Sequence, residues 1–347
     1  MAKIHHHSLL PSILLALLAL LSFGTLALSR TVPVEDLEMM KMYEEWMVKH
    51  GRVHDNIEEK ERRFKIFKEN VERVNAHNSV KGRKFDLAVN KFADLTNEEF
   101  RAKYTGRLLT RPPTKQARGG NLKLTDDVPT SIDWRKKGAV GKVGQQGGCG
   151  SCWAFSAVAA MEGIVQIKTG ELLDLSEQEL VDCDTFDDGC DGGLMDNAFK
   201  WIIQNGGLNS EEAYPYKGEK GECNTTLSSV SVASITGYVD VPEDDEKALQ
   251  QAVAQQPVSI GINSNSFEFQ LYGSGVYNGS CNADLLTHGV VIVGYDVTEE
   301  EGKPYWILKN SWGLDWGEDG YMRIDKDVKD KRGKCGLAML ASYPTIE

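Results

Sequence analysis

The first thirty residues of the chain are dominated by apolar side chains. From Leu9 to Leu28, ten of the twenty residues are Leu, and Lys3 is the one charged residue before Arg30. This pattern is typical of a secretory signal peptide, which we predict over residues 1–29 and expect to be removed. A membrane anchor is the alternative, since about twenty apolar residues can span a bilayer.

Two charged segments with helical spacing follow, at 35–49 and 57–78. In the second, six positions separated by three or four residues fall within one arc of about 100° on a helix. The face mixes ions, amides and apolar groups, which favours pairing with a neighbouring element over a plain core stripe. A solvated amphipathic helix is the alternative. The six positions are Glu59, Arg63, Phe67, Asn70, Val74 and Asn78.

The sequence then changes character twice. A strand-like run spans 85–90, and residues 106–127 contain Pro, Gly and scattered basic residues with little periodicity. Exposed linkers of this kind are where proteolytic nicking concentrates. We therefore predict a removable N-terminal segment over residues 30–127, helical within 35–103 and ending in a linker at 106–127.

We call residues 128–347 the body. Its early part, 150–205, repeats apolar residues every three or four positions, which predicts helices. Shorter apolar runs follow, and their length predicts strands. These runs are 230–239, 257–263, 288–295, 304–309 and 320–325.

Charge divides the chain near the same boundary. Residues 30–123 carry 21 Lys and Arg against 15 Asp and Glu, whereas residues 124–347 carry 17 against 36. The net charge of −12 argues against a nucleic-acid binder, which needs a basic face. We expect the basic segment to be attracted to the acidic body, and acid to weaken that attraction by protonating carboxylates, whose ordinary pKa is about 4.

Cysteine usage supplies the first chemical clue. All seven Cys lie in the body, and an odd number leaves a thiol over once disulfides form in an oxidising compartment. Cys152 lies about the first turn of a predicted helix, where amide N–H groups and the helix dipole favour a thiolate. The alternative is that Cys152 is a disulfide partner and that Cys149 or another thiol is free.

His288 is the one histidine in the body. A lone His beside an apolar strand is often a satisfied core residue. A nucleophilic Cys, however, needs a nearby imidazole, so by elimination His288 would be the partner of a catalytic Cys152. Further on, Asn310 could orient the imidazole ring through a hydrogen bond, and Trp312 could screen that bond from water.

These motifs resemble those of papain-like cysteine endopeptidase precursors, in particular plant secretory and vacuolar members of the senescence-associated type. The stretch Cys149-Gly150-Ser151-Cys152-Trp153 is the family's signature, and His288 follows Cys152 by 136 residues. Asn310 follows by 158 residues, slightly beyond the usual range of about 130–150. The 59–78 set matches the family's ERFNIN prosegment pattern, with Val74 for Ile. A second prosegment motif is Ala88, Asn90, Phe92 and Asp94, with Ala88 for Gly.

The resemblance implies an α+β, papain-like two-domain fold behind a helical inhibitory prosegment. A mainly helical half, at about 137–239, would face an antiparallel β-barrel-like half, at about 240–342, across the active-site cleft. Cys152 would be the nucleophile, His288 the general base and acid, and Asn310 the residue that orients His288. Gln146 would help to form the oxyanion hole. No metal or cofactor is implied.

The resemblance also implies a substrate site and a disulfide framework. An uncharged pocket would favour Leu, Val or Phe two residues before the cut; some of its residues could equally be plain core. The substrate-binding set is Gly192, Gly193, Leu194, Met195, Gly261, Leu286, Gly289, Leu340 and Trp312. The implied disulfides are Cys149–Cys190, Cys183–Cys223 and Cys281–Cys335.

Further expectations concern partners and location. Substrates would be proteins and peptides, and inhibitors would be the protein's own propeptide and, by resemblance, cystatin-type proteins. We expect a monomer that binds neither nucleic acid nor, after signal removal, membranes. The secretory route leads to a vacuole or lysosome, with the extracellular space as the alternative, and Asn224 and Asn278 begin glycosylation sequons. The rival function is a catalytically silent papain-like storage or binding protein.

Some positions of the body depart from the family pattern. Thr287 precedes His288 where Asp or Asn is usual, and Gly148 replaces Ser. Gly144-Gln145 stands where Lys-Asn is frequent. None of these changes removes a predicted catalytic group, although Thr287 could alter the pH profile.

Overall fold

The computed structural model describes residues 34–106 and 128–347. The predicted signal peptide and residues 107–127 of the predicted linker lie outside the described residues. The described chain forms two compact units, one ending at His54 and the other covering Asp55–Glu347. Within the described ranges, no helix is both long and apolar enough to cross a lipid bilayer.

Helices occupy the N-terminal segment and the first part of the body. Three separate helices, joined by loops, take the place of the helical prediction over 150–205. The helices are α1 (Val34–Lys49), α2 (Ile57–Asn78), α3 (Asn97–Tyr104), α4 (Cys152–Thr169), α5 (Glu177–Cys183), α6 (Met195–Asn205), α7 (Thr225–Ser228), α8 (Glu246–Val253) and α9 (Phe267–Gln270).

The strands of the second unit join in one sheet. They are β1 (Phe85–Leu87), β2 (Ile132–Asp133), β3 (Gly237–Asp240), β4 (Val258–Ile262), β5 (Tyr272–Tyr277), β6 (His288–Val297), β7 (Pro304–Lys309), β8 (Tyr321–Asp325) and β9 (Ala341–Thr345). Their order is β1-β5-β8-β7-β6-β4-β9-β3, and β2 pairs with β6. Because β5 and β8 run parallel, the sheet expected to be antiparallel is mixed.

Three of the strand predictions fall within a few residues of β4, β7 and β8, and β6 extends the fourth by two residues. The prediction over 230–239 is mostly wrong, because Val230 and Val232 are exposed and only the end of the run, in β3, pairs with another strand. No sequence prediction matches β5, whose two glycines interrupt a strand pattern, or β9, which contains Pro344.

The polar positions of α2 pair with the chain that follows the helix. Arg63 donates to Glu59 (2.7 Å) and to Glu99 (2.6 Å). The amide of Asn70 donates to the carbonyls of Ala93 (2.8 Å) and Leu95 (2.9 Å). The mixed face is therefore a pairing face, and the alternative of a solvated helix does not hold.

The N-terminal segment also adds β1 to the edge of the body's sheet beside β5. The departure at Ala88 is accommodated there. The Ala88 N–H donates to the Leu271 carbonyl (2.8 Å), and its methyl group lies against Gly273, where a Cβ would come within 2.9 Å. The Ala88 methyl group therefore fits because Gly273 in β5 has no side chain.

Helix α4 is the centre of the body. Its residues from Cys152 to Val165 are buried all round, as expected of a helix enclosed by other elements. Two hydroxyls fasten it to the sheet: Ser156 donates to the Val290 carbonyl (2.8 Å), and Ser259 donates to the Ser156 carbonyl (2.9 Å). The start of α4 is thereby held against the start of β6.

The pairing of Asn70 gives a stability prediction. Replacing Asn70 with Ala removes the side-chain donor of the buried Ala93 carbonyl and one of the two donors to the Leu95 carbonyl, to which Gln270 also donates (3.1 Å). This loss should cost about 1–3 kcal/mol in the free energy of unfolding of the full chain. Urea unfolding followed by tryptophan fluorescence measures this cost. The matched control is Asn75→Ala, on the exposed side of the same helix, which should change stability by less than about 0.5 kcal/mol. Equal effects at both positions would contradict the pairing role.

Candidate active site

The structure brings the four predicted catalytic residues together between the two halves of the body. Cys152 is the first residue of α4, and His288 is the first residue of β6. Asn310 directly follows β7, the antiparallel neighbour of β6. Gln146 lies in the loop before α4, where its N–H donates to the Ser311 carbonyl (2.9 Å).

The imidazole of His288 is buried and held on one side. Its Nε2 lies 2.7 Å from Asn310 Oδ1, and its ring stacks on Trp312 with centroids 4.5 Å apart. Because Asn310 Oδ1 also accepts from the Ser311 N–H (2.8 Å), the oxygen of the amide faces the ring and Nε2 carries the proton. Among the described residues, Nδ1 has no hydrogen-bond partner, which leaves its lone pair available.

Cys152 is a free, buried thiol, and the remaining six cysteines form the three disulfides that the resemblance implied. The backbone N–H groups of Gly289 and Gly106 point at its sulfur. Gly106 belongs to the N-terminal segment, and a Cβ on it would lie 3.0 Å from the sulfur. The segment therefore covers the thiol directly.

Burial shifts the pKa of both members of the pair toward their neutral forms. Burial raises the pKa of the Cys152 thiol above its ordinary value, although backbone N–H groups oppose the shift. Burial lowers the pKa of His288 to about 4, against the opposing effect of Asn310. With the segment in place, both groups are neutral at neutral pH.

Ser311 links the two sides of the site. Its hydroxyl donates to Gln146 Oε1 (2.8 Å), and its N–H donates to Asn310 Oδ1. Gln146 Nε2 donates to the Cys149 carbonyl (3.0 Å), which leaves one N–H of the amide for another acceptor. The sequence analysis assigned no role to Ser311, although it lies between Asn310 and Trp312.

Several of the predicted substrate-binding residues pack around the start of α4 or in the apolar cluster that contains Cys152. Gly193 lies against the Trp153 ring, where a Cβ would come within 2.5 Å. Gly261 pairs with Gly289 across β4 and β6. The apolar members pack in one cluster of the body: Leu194, Met195, Leu286 and Leu340.

A buried ion pair lies behind the site and was missed by the sequence analysis. Glu162 in α4 is 3.9 Å from Lys309 at the end of β7, and both side chains are buried. Burial raises the pKa of Glu162 to about 7, while Lys309 opposes the shift. A separate small cavity of about 20 Å³, lined by Gly144, Glu177 and Lys309 among others, adjoins this region. Neither charged residue stands in a motif, so no local signal could have revealed them.

Two further departures have structural explanations. Thr287 Oγ1 accepts from the Ser264 N–H (3.2 Å), so it joins the ends of β4 and β6 as a neutral group. Gly148 lies under Lys103 of the N-terminal segment, whose Cε would be 3.0 Å from an added Cβ. A Ser at this position would require Lys103 to move.

Comparison with known proteins agrees with this geometry. Residues 128–345 match the family model described as "Papain family cysteine protease", and residues 43–100 match "Cathepsin propeptide inhibitor domain (I29)". The chain belongs to the papain family of cysteine proteases. It is a cysteine endopeptidase made as a zymogen, and its own N-terminal segment is the inhibitor. Its substrates are proteins.

Similar proteins cover nearly the whole chain. The "Senescence-specific cysteine protease SAG12" of Arabidopsis thaliana is 55% identical over 330 residues, which are 93% of this chain and 94% of the relative. The "Senescence-specific cysteine protease SAG39" of Oryza sativa subsp. japonica is 50% identical over 340 residues, covering 96% and 98%.

Solved structures agree on the fold, including the N-terminal segment. The recombinant stem bromelain precursor has a TM-score of 0.81 at 44% identity, covering 89% of this chain and 99% of the other. The proform of Amb a 11, a ragweed pollen allergen, has a TM-score of 0.81 at 41% identity, covering 89% and 95%. The papain-like fold expected from the sequence is confirmed, with the mixed sheet noted above.

The covered thiol gives a pH prediction. Because the thiolate is the reactive form, a raised pKa should make alkylation of Cys152 by iodoacetamide slow at pH 7 and faster as pH rises toward and above 9. Mass spectrometry of the Cys152 peptide measures the rate in the unprocessed chain. The control is the same chain in urea, where the pKa returns to about 8.5 and alkylation at pH 7 should accelerate. Equal rates in the two states would contradict the cover.

Proposed function

We propose that Cys152 is the nucleophile and that His288 is its general base and acid. Nδ1 of His288 takes the proton of the thiol, and the resulting sulfur anion attacks the peptide carbonyl. The imidazolium then protonates the leaving amine, which departs and leaves an acyl-enzyme. Water, giving its proton to His288, attacks the thioester, and the acid product leaves as the thiol is restored.

The free Nδ1 of His288 is the observation that supports this assignment best. Asn310 engages Nε2 and fixes the tautomer, so the remaining nitrogen is the one that can accept a proton. Departure of the N-terminal segment opens this nitrogen and the sulfur to water. The solvent then stabilises the charged pair, which the buried, covered site disfavours.

We assign the oxyanion site to the Cys152 N–H and the unused N–H of Gln146. The Ser311 hydroxyl donates to Gln146, and the Ser311 backbone N–H donates to the Asn310 side chain. Ser311 therefore positions both the oxyanion donor and the residue that orients His288. A fixed donor needs no reorientation when charge develops on the oxygen.

The uncharged pocket supports a preference for Leu, Val or Phe two residues before the cut. Gly192 and Gly193 would bind the substrate backbone, and Leu194, Met195 and Leu340 would contact the apolar side chain. These three side chains share one buried cluster, and none of them could neutralise a charged substrate residue.

The N-terminal segment inhibits by covering the thiol at Gly106. An ion pair between Lys84 of the segment and Glu301 of the body adds to this attachment. Lys303 and Lys84 hold the pKa of Glu301 at about 2, so this pair persists at pH 4.5. If mild acid releases the N-terminal segment by weakening its attraction to the acidic body, the carboxylates that become protonated must be others than Glu301.

The segment boundaries, the destination and the inhibitors of the protein follow from the same assignment. We infer a signal peptide at 1–29, a propeptide at 30–127 and a mature monomer at 128–347, directed through the secretory pathway to a vacuole. Cystatin-type proteins would inhibit it. Asn224 and Asn278 are both exposed, which suits glycosylation.

A peptidase assay tests the assignment of Cys152. The full chain and a Cys152→Ser chain are both processed by pepsin at acid pH, and the pepsin is then removed. Both are given a fluorogenic dipeptide with Leu or Phe, then Arg, before the cut, at about pH 5 with reducing agent. We expect activity in the parent alone. Activity in both proteins would refute Cys152 as nucleophile, and silence in both after segment removal would support the silent-homologue reading.

Gln146 gives a second test of the mechanism. Gln146→Ala should lower kcat/KM by about 10²–10³-fold, the usual cost of one oxyanion donor. The matched control is Gln145→Ala, an exposed amide next in the chain, which should retain nearly full activity. An effect of the same size at both positions would show that the loop, rather than the Gln146 amide, is responsible.

A further inference from the structure

Two buried acids in the loop between α5 and α6 have no part in the mechanism above. Asp184 and Asp187 are 4% and 5% exposed. Each uses one oxygen to hold the loop. Asp184 Oδ1 accepts from the Phe186 N–H (2.7 Å), while Asp187 Oδ1 accepts from the Leu194 N–H (3.0 Å) and the Asn197 amide (2.9 Å).

The other oxygen of each acid lacks a donor. Both Oδ2 atoms are buried and accept no hydrogen bond from the part of the chain that the structure describes. The two side chains nevertheless interact with each other. Two ionised carboxylates can only accept, so a hydrogen bond between them requires a proton on one.

A neighbouring acid shows that the fold supplies hydrogen-bond donors to both oxygens of another buried carboxyl group. Asp182 is buried nearby in α5, and its two oxygens accept from the Gln178 amide, the Tyr214 hydroxyl and the Gly221 N–H. The Oδ2 atoms of Asp184 and Asp187 have no such donors, which favours a proton shared between the two acids.

The charged surroundings do not replace that proton. The groups that face the pair are the N–H groups and Asn197 named above, the backbone N–H of Asp187, and Lys200 of α6. The Lys200 ammonium lies 3.8 Å from the centre of the Phe186 ring. Burial raises the pKa of both acids, and the charge of Asp184 raises the pKa of Asp187 further, while Lys200 lowers that of Asp184.

The loop that the pair stabilises carries the proposed substrate site. Asp187 holds Leu194 directly, and the Asp188 N–H donates to the Gly192 carbonyl (2.9 Å). The far side of the loop is joined to the nucleophile, because Trp153 Nε1 donates to the Gly189 carbonyl (3.0 Å). Displacement of Asp187 would therefore move Gly192–Leu194 while the nucleophile stays in place.

We propose that Asp184 and Asp187 share one proton, and that this acid pair positions Gly192–Leu194 for substrate binding, so that KM rises when the proton is lost. The inference rests on the proposed assignment of Gly192–Leu194 to the substrate site. Both acids act as positioning residues, since they reach the substrate through Leu194 and its neighbours.

The direction of the pH effect follows from the raised pKa values. The arrangement is complete while the pair holds its proton, and it is lost as pH rises through the raised pKa of the folded pair. Two facing anions without donors then repel, and water must enter the loop. We expect KM for a peptide with an apolar residue two positions before the cut to rise about tenfold from pH 5.5 to 8.5, equivalent to about one unit of pKa coupling.

Two amide variants separate this effect from ordinary titration of the catalytic pair. In Asp187→Asn or Asp184→Asn, the amide N–H donates permanently to the facing oxygen and replaces the shared proton. Both variants, processed from the full chain, should keep the low KM of the parent up to pH 8.5, with kcat following the parent profile. The control Asp188→Asn, an exposed acid of the same loop, should keep the parent's pH-dependent KM.

The outcomes are distinct. If KM rises with pH equally in the parent, both amide variants and the control, the shared proton is refuted while the peptidase assignment stands. If one amide variant does not fold, the other decides. Infrared titration of the Cys152→Ser protein supplies a readout independent of activity: a buried carboxylic acid that persists at pH 7 and disappears in both amide variants supports the pair. Its absence from the parent would overturn it. Loss of all peptidase activity in the parent would instead refute the proposed function.

Discussion

The close approach of the start of β6 to the start of α4 is the contact on which the rest of the site depends. Gly289 makes it possible, since a Cβ there would lie 3.0 Å from the Cys152 carbonyl oxygen and 3.3 Å from the Trp153 nitrogen. Any side chain would force the strand away from the helix. With glycine, an N–H of the β half reaches the sulfur of the helical half, and the adjoining His288 is brought to the same point.

The surrounding hydrogen bonds hold the start of β6 against the start of α4 while the N-terminal segment covers the site. Ser156 and Ser259 join the helix to the sheet, and Ser311 joins the loop of Gln146 to Asn310. All three are short hydroxyls that satisfy buried partners without introducing charge, which matters because a buried charge without a partner is costly. Burial under the N-terminal segment therefore favours the neutral forms of the reactive groups.

The sequence was most informative where chemistry requires a rare residue in a fixed context. His288 could be named because it is the one histidine in the body, whereas Cys152 and Asn310 were assigned through motifs that resemble those of a known family. The helices and the long apolar strands could be predicted from periodicity. Strand β5 could not, because Gly273 and Gly275 interrupt a strand pattern, and the segment that packs closely against them, with Phe85 and Ala88, is distant in the sequence. Glu162, Lys309, Ser311 and the Asp184–Asp187 pair were missed because their significance comes from partners far along the chain or from burial, which no local pattern encodes.

Strand β1 has a consequence for the enzyme after maturation. In the zymogen it occupies the free side of β5, and the pairing is irregular, with a shift in register between Asp86 and Leu87. Cleavage removes this strand and leaves the mature protease with a newly exposed sheet edge. Such edges invite self-association through backbone hydrogen bonds. In β5, however, Gly275 has a φ of +91° and interrupts the extended backbone. A strand from a second copy of the protein would therefore pair poorly with this exposed edge.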